Sequence, residues 1–329
     1  MSCILIVRFS SIGDVLLTTP LVRALRARHP DARLVYVTKR AMLPLVSANP
    51  HLNDVIVLEP GEAVRRLARR LTRSEPTLGL DLHGTLRSAA LRLLVPCPWR
   101  SYGKRKLRRG VLLSTKIDLY GRAVPVAERY FEAARALDVR PDGGPPELVL
   151  PPDAYDHVDR WIAGRGWSGA PLAVLAPGAA HATKRWPTDR WLALAARLEA
   201  DGYAVVVVGG EHDHAVAAPL EAHAAVAAGR FSLQETGAVL ARARVLVSGD
   251  TGVMHMATAV GTPVVALFGP TVEQFGFFPY AARASVLQRR LDCRPCSAMG
   301  GAYCPMGHHR CLTDIAPEEV AAAVSRLVA

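Results

Sequence analysis

Apolar residues along the first 140 positions follow two alternating rhythms. Short runs rich in β-branched residues, CILIVRF (3–9), ARLVYVTK (32–39), NDVIVLE (53–59) and TLGLDLHG (77–84), have the length and composition of buried strands. Between them, GDVLLTTPLVRALRARH (13–29) places Val15, Leu16, Leu21, Val22 and Leu25 at helical spacing, and EAVRRLARRLTR (62–73) reads as an amphipathic helix. Strands alternating with helices predict a parallel sheet covered on both faces. Proline and glycine then concentrate in PDGGPPELVLPPD (141–153), and the rhythm restarts. PLAVLAPG, YAVVVVGG, RVLVSGD and PVVALFGP read as strands, and TDRWLALAARLEADG, LQETGAVLARA and GVMHMATAVG as the helices among them. The expected architecture is α/β, with two Rossmann-like doubly wound domains, 1–150 and 151–329, facing each other across a cleft.

In this arrangement ligands bind outside the carboxyl ends of the strands, where three polar turns of the second half fall: APGAAHATK, GGEHD and SGDTG. After the first of these strands come Thr183, Lys184 and Arg185, a hydroxyl and two cations suited to a diphosphate. SGDTG opens a helix, so Thr251, Gly252 and the free amides beside them suit phosphate oxygens, with His255 one turn further on. Asp250 stands at the strand end, able to accept from sugar hydroxyls or to cap the helix. The first half has a comparable strand–turn–helix unit, with Ser10, Ser11 and Gly13 at the turn, but Asp14 occupies the place where such a unit usually receives an anion.

Composition narrows the picture further. At 329 residues, half of them hydrophobic and 21% charged, the chain suits two compact domains. No stretch is apolar enough for a membrane span and the N-terminus lacks a cleavable leader, which points to a cytoplasmic protein. Residues 1–150 hold 25 Lys and Arg against 13 Asp and Glu, whereas 151–329 hold 15 against 16, so the net charge of +11 comes from the first half. Arg87 to Arg109 contains eight cations and no acid, a field suited to nucleic acid, anionic lipid or a polyanionic substrate. No interleaved aromatic platform accompanies it, so nucleic acid is not the expected partner. Cys293, Cys296, Cys304 and Cys311, spaced C-x2-C-x7-C-x6-C beside His308 and His309, are candidates for a structural metal, although the second pair lacks the usual zinc spacing. No G-x-G-x-x-G follows the first strand and no G-x-x-x-x-G-K-[ST] occurs, which argues against dehydrogenases and P-loop NTPases.

Taken in order, ILIVRFSSIGDVLLTTPLVRALR, NPHLNDVIVLE, APGAAHATKRWPTDRW, GGEHD, SGDTGVMHMATAVGTPVVALFGPT and the closing cysteine segment with IAPEEV resemble the family 9 glycosyltransferases, ADP-heptose:lipopolysaccharide heptosyltransferases among them. The resemblance implies a GT-B fold and an inverting transfer of heptose from ADP-heptose, with Asp14 as general base and no cofactor required. It implies that Thr183, Lys184, Thr251, Gly252 and His255 neutralise the departing diphosphate, that Glu211 contacts the nucleoside ribose, and that Asp250 binds donor hydroxyls. The implied acceptor is an anionic Kdo-lipid A precursor at the inner membrane surface, for which Ser10, Ser11, Gly13, Arg87, Lys104, Arg105 and Lys106 are candidate contacts. A different nucleotide-sugar donor, another GT-B enzyme such as an epimerase, or an inactive lipopolysaccharide-binding relative are the alternatives.

Overall fold

A computed structural model describes residues 2–329. The chain forms two compact units. One comprises the chain through Arg105 together with Val124–Val149, and the other Lys106–Ala123 with Leu150–Ala329. Residues 106–123 thus group with the later half of the chain.

The first unit contains β1 (Cys3–Val7), α1 (Ile12–Leu16), α2 (Thr19–Arg28), β2 (Arg33–Lys39), β3 (Asp54–Leu58), α3 (Val64–Thr72), β4 (Leu78–Asp81), α4 (Leu86–Leu94) and β5 (Trp99–Ser101). After α5 (Lys106–Thr115), which groups with the second unit, α6 (Val126–Tyr130) returns to the first. The sheet is parallel, in the order β3-β2-β1-β4-β5. Its central strand β1 is buried at all five positions, as expected of a strand covered on both faces. Cys3, Leu5 and Val7 of β1 pack with Val35 and Val37 of β2 under Leu67, Ala68 and Leu71 of α3 and Leu91 of α4. Successive side chains alternate across a strand, so Ile4 and Ile6 point to the opposite face.

The single helix expected over 13–29 is two helices. Pro20 has no N–H to give the carbonyl four residues back, and its ring crowds that carbonyl. Thr19 Oγ1 donates to that carbonyl, Leu16 O, at 2.7 Å, and Thr18 Oγ1 donates to Val15 O at 2.6 Å. The Thr19 hydroxyl replaces the amide that Pro20 lacks, and Pro20 then opens α2 near its N-terminus, where it is tolerated.

In the second unit α7 (Pro152–Ala163) precedes β6 (Leu172–Ala176), α8 (Thr188–Ala200), β7 (Ala204–Val207), α9 (His214–Ala217), β8 (Ala225–Val226) and α10 (Leu233–Arg242). There follow β9 (Ala243–Gly249), α11 (Gly252–Ala259), β10 (Val264–Phe268), β11 (Ala284–Gln288), α12 (Arg310–Thr313) and α13 (Pro317–Val328). The sheet order is β11-β10-β9-β6-β7-β8, again parallel. Trp186, Trp191, Leu194 and Leu198 pack with Leu312, Val320 and Val324 over Val205, Val245 and Val265. Among the described residues no helix is long and apolar enough to cross a membrane.

Candidate functional site

Asp14 stands in the single turn of α1, beyond the carboxyl end of β1. Its N-cap residue, Ser11, donates through Oγ to Asp14 Oδ2 at 2.9 Å, and Tyr130 from α6 offers its hydroxyl to Oδ1 at 3.3 Å. Arg8 completes the surround, with Nη2 2.6 Å from Oδ2. Arg8 is itself fixed, donating through Nη1 to Leu82 O at 2.6 Å and through Nε to Ser10 O at 2.8 Å. Burial works against the Arg8 charge, but Tyr130, Asp14, Tyr102 and Tyr36 outweigh it and hold the guanidinium above its ordinary value. Burial likewise raises Tyr130 and Tyr102, so both phenols stay protonated near neutral pH. Asp14 therefore has its direction set by three side chains and remains partly exposed, with 18% of its side chain open to solvent.

Two further groups belong to this end of the sheet. Asp81, at the end of β4 and 1% exposed, accepts from His83 N, Gly84 N and Ser88 Oγ, which pins the loop into α4. His83 packs edge-on against Phe9, and burial, together with Arg8 and Lys104 close by, pushes it down to about 4, so its ring is neutral at pH 7. Lys104 donates to His83 O, which brings one predicted acceptor contact to this end. The others are placed differently. Arg105 is tied to Glu132 at 2.7 Å, Arg87 projects from α4 into solvent, and Lys106 is exposed at the start of α5, in the second unit. Ser10 and Ser11 hold Arg8 and Asp14 as described, and Gly13 is buried in α1.

In the second unit the turns after β6, β9 and β10 converge. Lys184 Nζ lies 2.6 Å from Asp250 Oδ2, with 15% and 9% of the two side chains exposed, and Thr271 Oγ1 donates to the same oxygen at 2.8 Å. Thr251 stands at the N-cap position of α11 with its Oγ1 turned to Ser248 Oγ at 3.0 Å, and Gly252 is the first residue of the helix. Gly249 leaves room for this closeness, since a Cβ there would crowd Lys184 O at 3.0 Å. Thr183 is buried; its N and Oγ1 both donate to Gly301 O, and Gly301 N donates back to Oγ1 at 2.8 Å. His255 is buried within α11. Glu211 lies exposed in the turn after β7, whose Asp213 covers Gly178 so closely that a Cβ there would meet the carboxylate at 2.1 Å.

The cysteine segment serves this site structurally. His309 Nε2 lies 3.0 Å from Thr183 O, and Arg294 donates to the carbonyls of Gly269 and Thr271. Cys293 Sγ is 3.9 Å from His308 Nε2, while burial pushes the Cys311 thiol up to about 11. Among the described residues no three His, Cys, Asp or Glu side chains are grouped to hold a metal, so the spacing of Cys293, Cys296, Cys304 and Cys311 does not assemble into the metal-holding set it allowed.

Sequence reasoning missed Arg8, Tyr130, His83 and Thr271. Arg8 carried a signal, being a charge at the end of an otherwise wholly apolar strand. Tyr130 carried none, since 116 positions separate it from Asp14.

Two doubly wound units, one presenting a fixed carboxylate and the other an anion-suited set of turns, define a glycosyltransferase of the GT-B class. Within that class the chain belongs to glycosyltransferase family 9, the heptosyltransferase family, which it matches over residues 64–306. It is 28% identical over 339 positions to lipopolysaccharide heptosyltransferase 2 of Salmonella typhimurium, covering 96% of both chains. Lipopolysaccharide heptosyltransferase 1 of Pseudomonas aeruginosa is 32% identical over 338 positions, 96% of this chain and 92% of the relative. The solved structure of ADP-heptose LPS heptosyltransferase II from Escherichia coli superposes with a TM-score of 0.76 at 26% identity, covering 100% of this chain and 98% of that one.

Proposed function

We propose that this enzyme transfers heptose from ADP-heptose to the inner core of a lipopolysaccharide precursor, with inversion at the anomeric carbon. The first unit binds the acceptor and the second the donor. Asp14 takes the proton from the acceptor hydroxyl as that oxygen bonds to the anomeric carbon. The bond from this carbon to the diphosphate breaks, and its electron pair leaves with ADP. Lys184, Thr183, Thr251, Gly252 and the amides at the start of α11 neutralise the charge that develops there, with His255 behind them, so the reading needs no cofactor. Glu211 meets the ribose, and Asp250, whose Oδ1 takes no hydrogen bond from the described residues, meets donor hydroxyls.

The observation that carries this reading is Asp14 itself, an oriented carboxylate with an open side. Its neighbour Asp81 is committed to two amides and Ser88. One base and one displacement give inversion. Because the acceptor is lipid-linked, the enzyme works as a peripheral protein at the cytoplasmic face of the inner membrane.

Calorimetric titration with ADP and UDP, followed by assay of ADP-heptose with Kdo-lipid A and NMR of the new linkage, tests the proposal. Preference for ADP and an inverted product support it. Preference for UDP assigns another donor, and failure to bind either nucleotide identifies an inactive relative.

A further inference from the structure

Exposed arginines without a carboxylate partner are concentrated on and beside α3 and α4. α3 and α4 pack side by side on one face of the sheet, burying Leu67, Ala68, Leu71 and Leu91. Their outer surfaces carry Arg65, Arg66, Arg69, Arg73, Arg87 and Arg92, all exposed, and none makes an ion pair with a described residue. Among these cations α4 displays Leu86 and Leu93, 92% and 88% exposed, with Leu94 at 42%. Residues seven apart stack on one helical stripe, so Leu86 and Leu93 form a ridge, and Arg87 and Arg92 fall on either side of it.

We infer that the α3–α4 face is a docking surface for an anionic lipid bilayer, with Leu86 and Leu93 entering the interface and the arginines engaging headgroup phosphates. An apolar ridge within a cationic field is the pattern of interfacial helices. Long arginine side chains can lie along the acyl boundary while their guanidinium groups remain at the phosphates. Nucleic acid is disfavoured because the large apolar side chains fully exposed on this unit are aliphatic, leaving no stacking platform. Placement also fits. α4 starts just after the carboxyl end of β4, which runs parallel to β1 with Asp81 opposite Val7, so Leu86 lies at the end of the sheet that carries Asp14. Docking by this face would present that end to a lipid-linked acceptor. The inference rests on the proposed lipid acceptor and names the surface that meets the membrane.

Vesicle sedimentation of the full chain, with phosphatidylcholine alone and with phosphatidylglycerol added, provides the test. Binding is expected only with the anionic lipid and should weaken as salt rises. The double variant Leu86→Ser/Leu93→Ser should bind roughly tenfold or more weakly, given the apolar area it withdraws. Arg66→Glu/Arg69→Glu should also lose binding. Both variants should turn over a deacylated, water-soluble acceptor at the parent rate. A serine variant that binds as the parent does, or binding indifferent to lipid charge, overturns the inference. Loss of vesicle binding and of deacylated-acceptor turnover together would mark a folding defect, so Leu93→Trp serves as a second probe. Its fluorescence should shift to the blue on anionic vesicles, and an unchanged spectrum overturns insertion. A protein that docks but never turns over ADP-heptose leaves this surface standing and refutes the proposed reaction; one that turns over but does not dock does the reverse.

Discussion

Asp14→Asn is the substitution that separates proton transfer from the architecture around it. Oδ2 receives Ser11 Oγ at 2.9 Å and Arg8 at 2.6 Å, so an amide nitrogen cannot occupy that position without facing donors. The amide will therefore turn its oxygen toward Arg8 and Ser11 and its nitrogen toward Tyr130, whose hydroxyl can rotate to accept. The geometry survives, but the charge does not. A charge-assisted hydrogen bond becomes a neutral acceptor beside a buried guanidinium, at a cost of about 1–2 kcal/mol of folding stability. The chemical loss should be larger, because an amide cannot take a proton and general-base catalysis contributes about 10²–10⁴-fold, or roughly 3–5 kcal/mol of barrier. ADP release measured at saturating donor and acceptor should fall by that factor, while calorimetric ADP affinity, which the proposal assigns to the second unit, should stay within about twofold. Urea denaturation supplies the stability figure. A turnover loss below about tenfold would refute the assignment of Asp14 as base. Asp14→Ala is a poorer probe, since it leaves the buried Arg8 charge beside a void with only the carbonyls of Leu82 and Ser10 to accept from it, and an uncompensated buried charge can cost about 3–5 kcal/mol.

Three further substitutions test separate links. Lys184→Met removes the cation paired with Asp250 and should weaken ADP binding by about 10–100-fold, as expected for one charge-assisted contact to a diphosphate; unchanged affinity in calorimetry would remove Lys184 from the donor site. His83 sits near 4 in the fold and near 6.5 when unfolded, so the unfolded chain binds a proton that the native one refuses as pH falls through this window, and stability drops with it. His83→Gln should flatten that part of the profile, and parallel urea midpoints for both proteins from pH 7 to 4.5 would contradict the burial argument. Gly79→Ala would bring a Cβ to 2.3 Å from the Trp99 ring, so strand β4 or the indole must shift, at about 1–3 kcal/mol in urea denaturation; equal stability would show that the contact yields freely.

What the sequence revealed follows from how local each signal is. Strand positions were legible because runs such as LAVLA and VVALF, buried on both faces, are apolar without interruption. The turns proposed for the donor could be located because each follows directly on its strand, so the strand's end also fixes the place of Lys184 or Asp250. α1 and α2 were read as one helix because apolar spacing continues through Thr18-Thr19-Pro20; the break comes with the amide that Pro20 lacks and the Thr19 hydroxyl that stands in for it, which periodicity does not register. Around Asp14 only Ser11 was within local reach. Tyr130 arrives from α6 after a long excursion of the chain, and the lysines and arginines of 87–109 spread over two helices and a strand that the charge count alone could not separate.

Sorting the cations by partner does what their total could not. In the first unit Arg8, Arg23, Arg40, Arg70 and Arg105 are each matched by a carboxylate, so they contribute to the fold and little to the field outside it. The unmatched cations generate that field, with their densest group on α3 and α4, and they are exposed, where added salt screens them over about 10 Å at 0.1 M. In the second unit the opposite holds. Lys184 is already neutralised by Asp250, and both side chains are largely buried. If Lys184 receives the diphosphate as proposed, the ligand must compete with Asp250 for one short-range contact, an exchange that ions in solution hardly reach. Ionic strength should thus divide the two substrates: affinity for an anionic lipid surface should fall steeply with salt while affinity for ADP changes little. A comparably steep dependence for ADP would mean that the exposed cations, and not the Lys184 pair, hold the nucleotide.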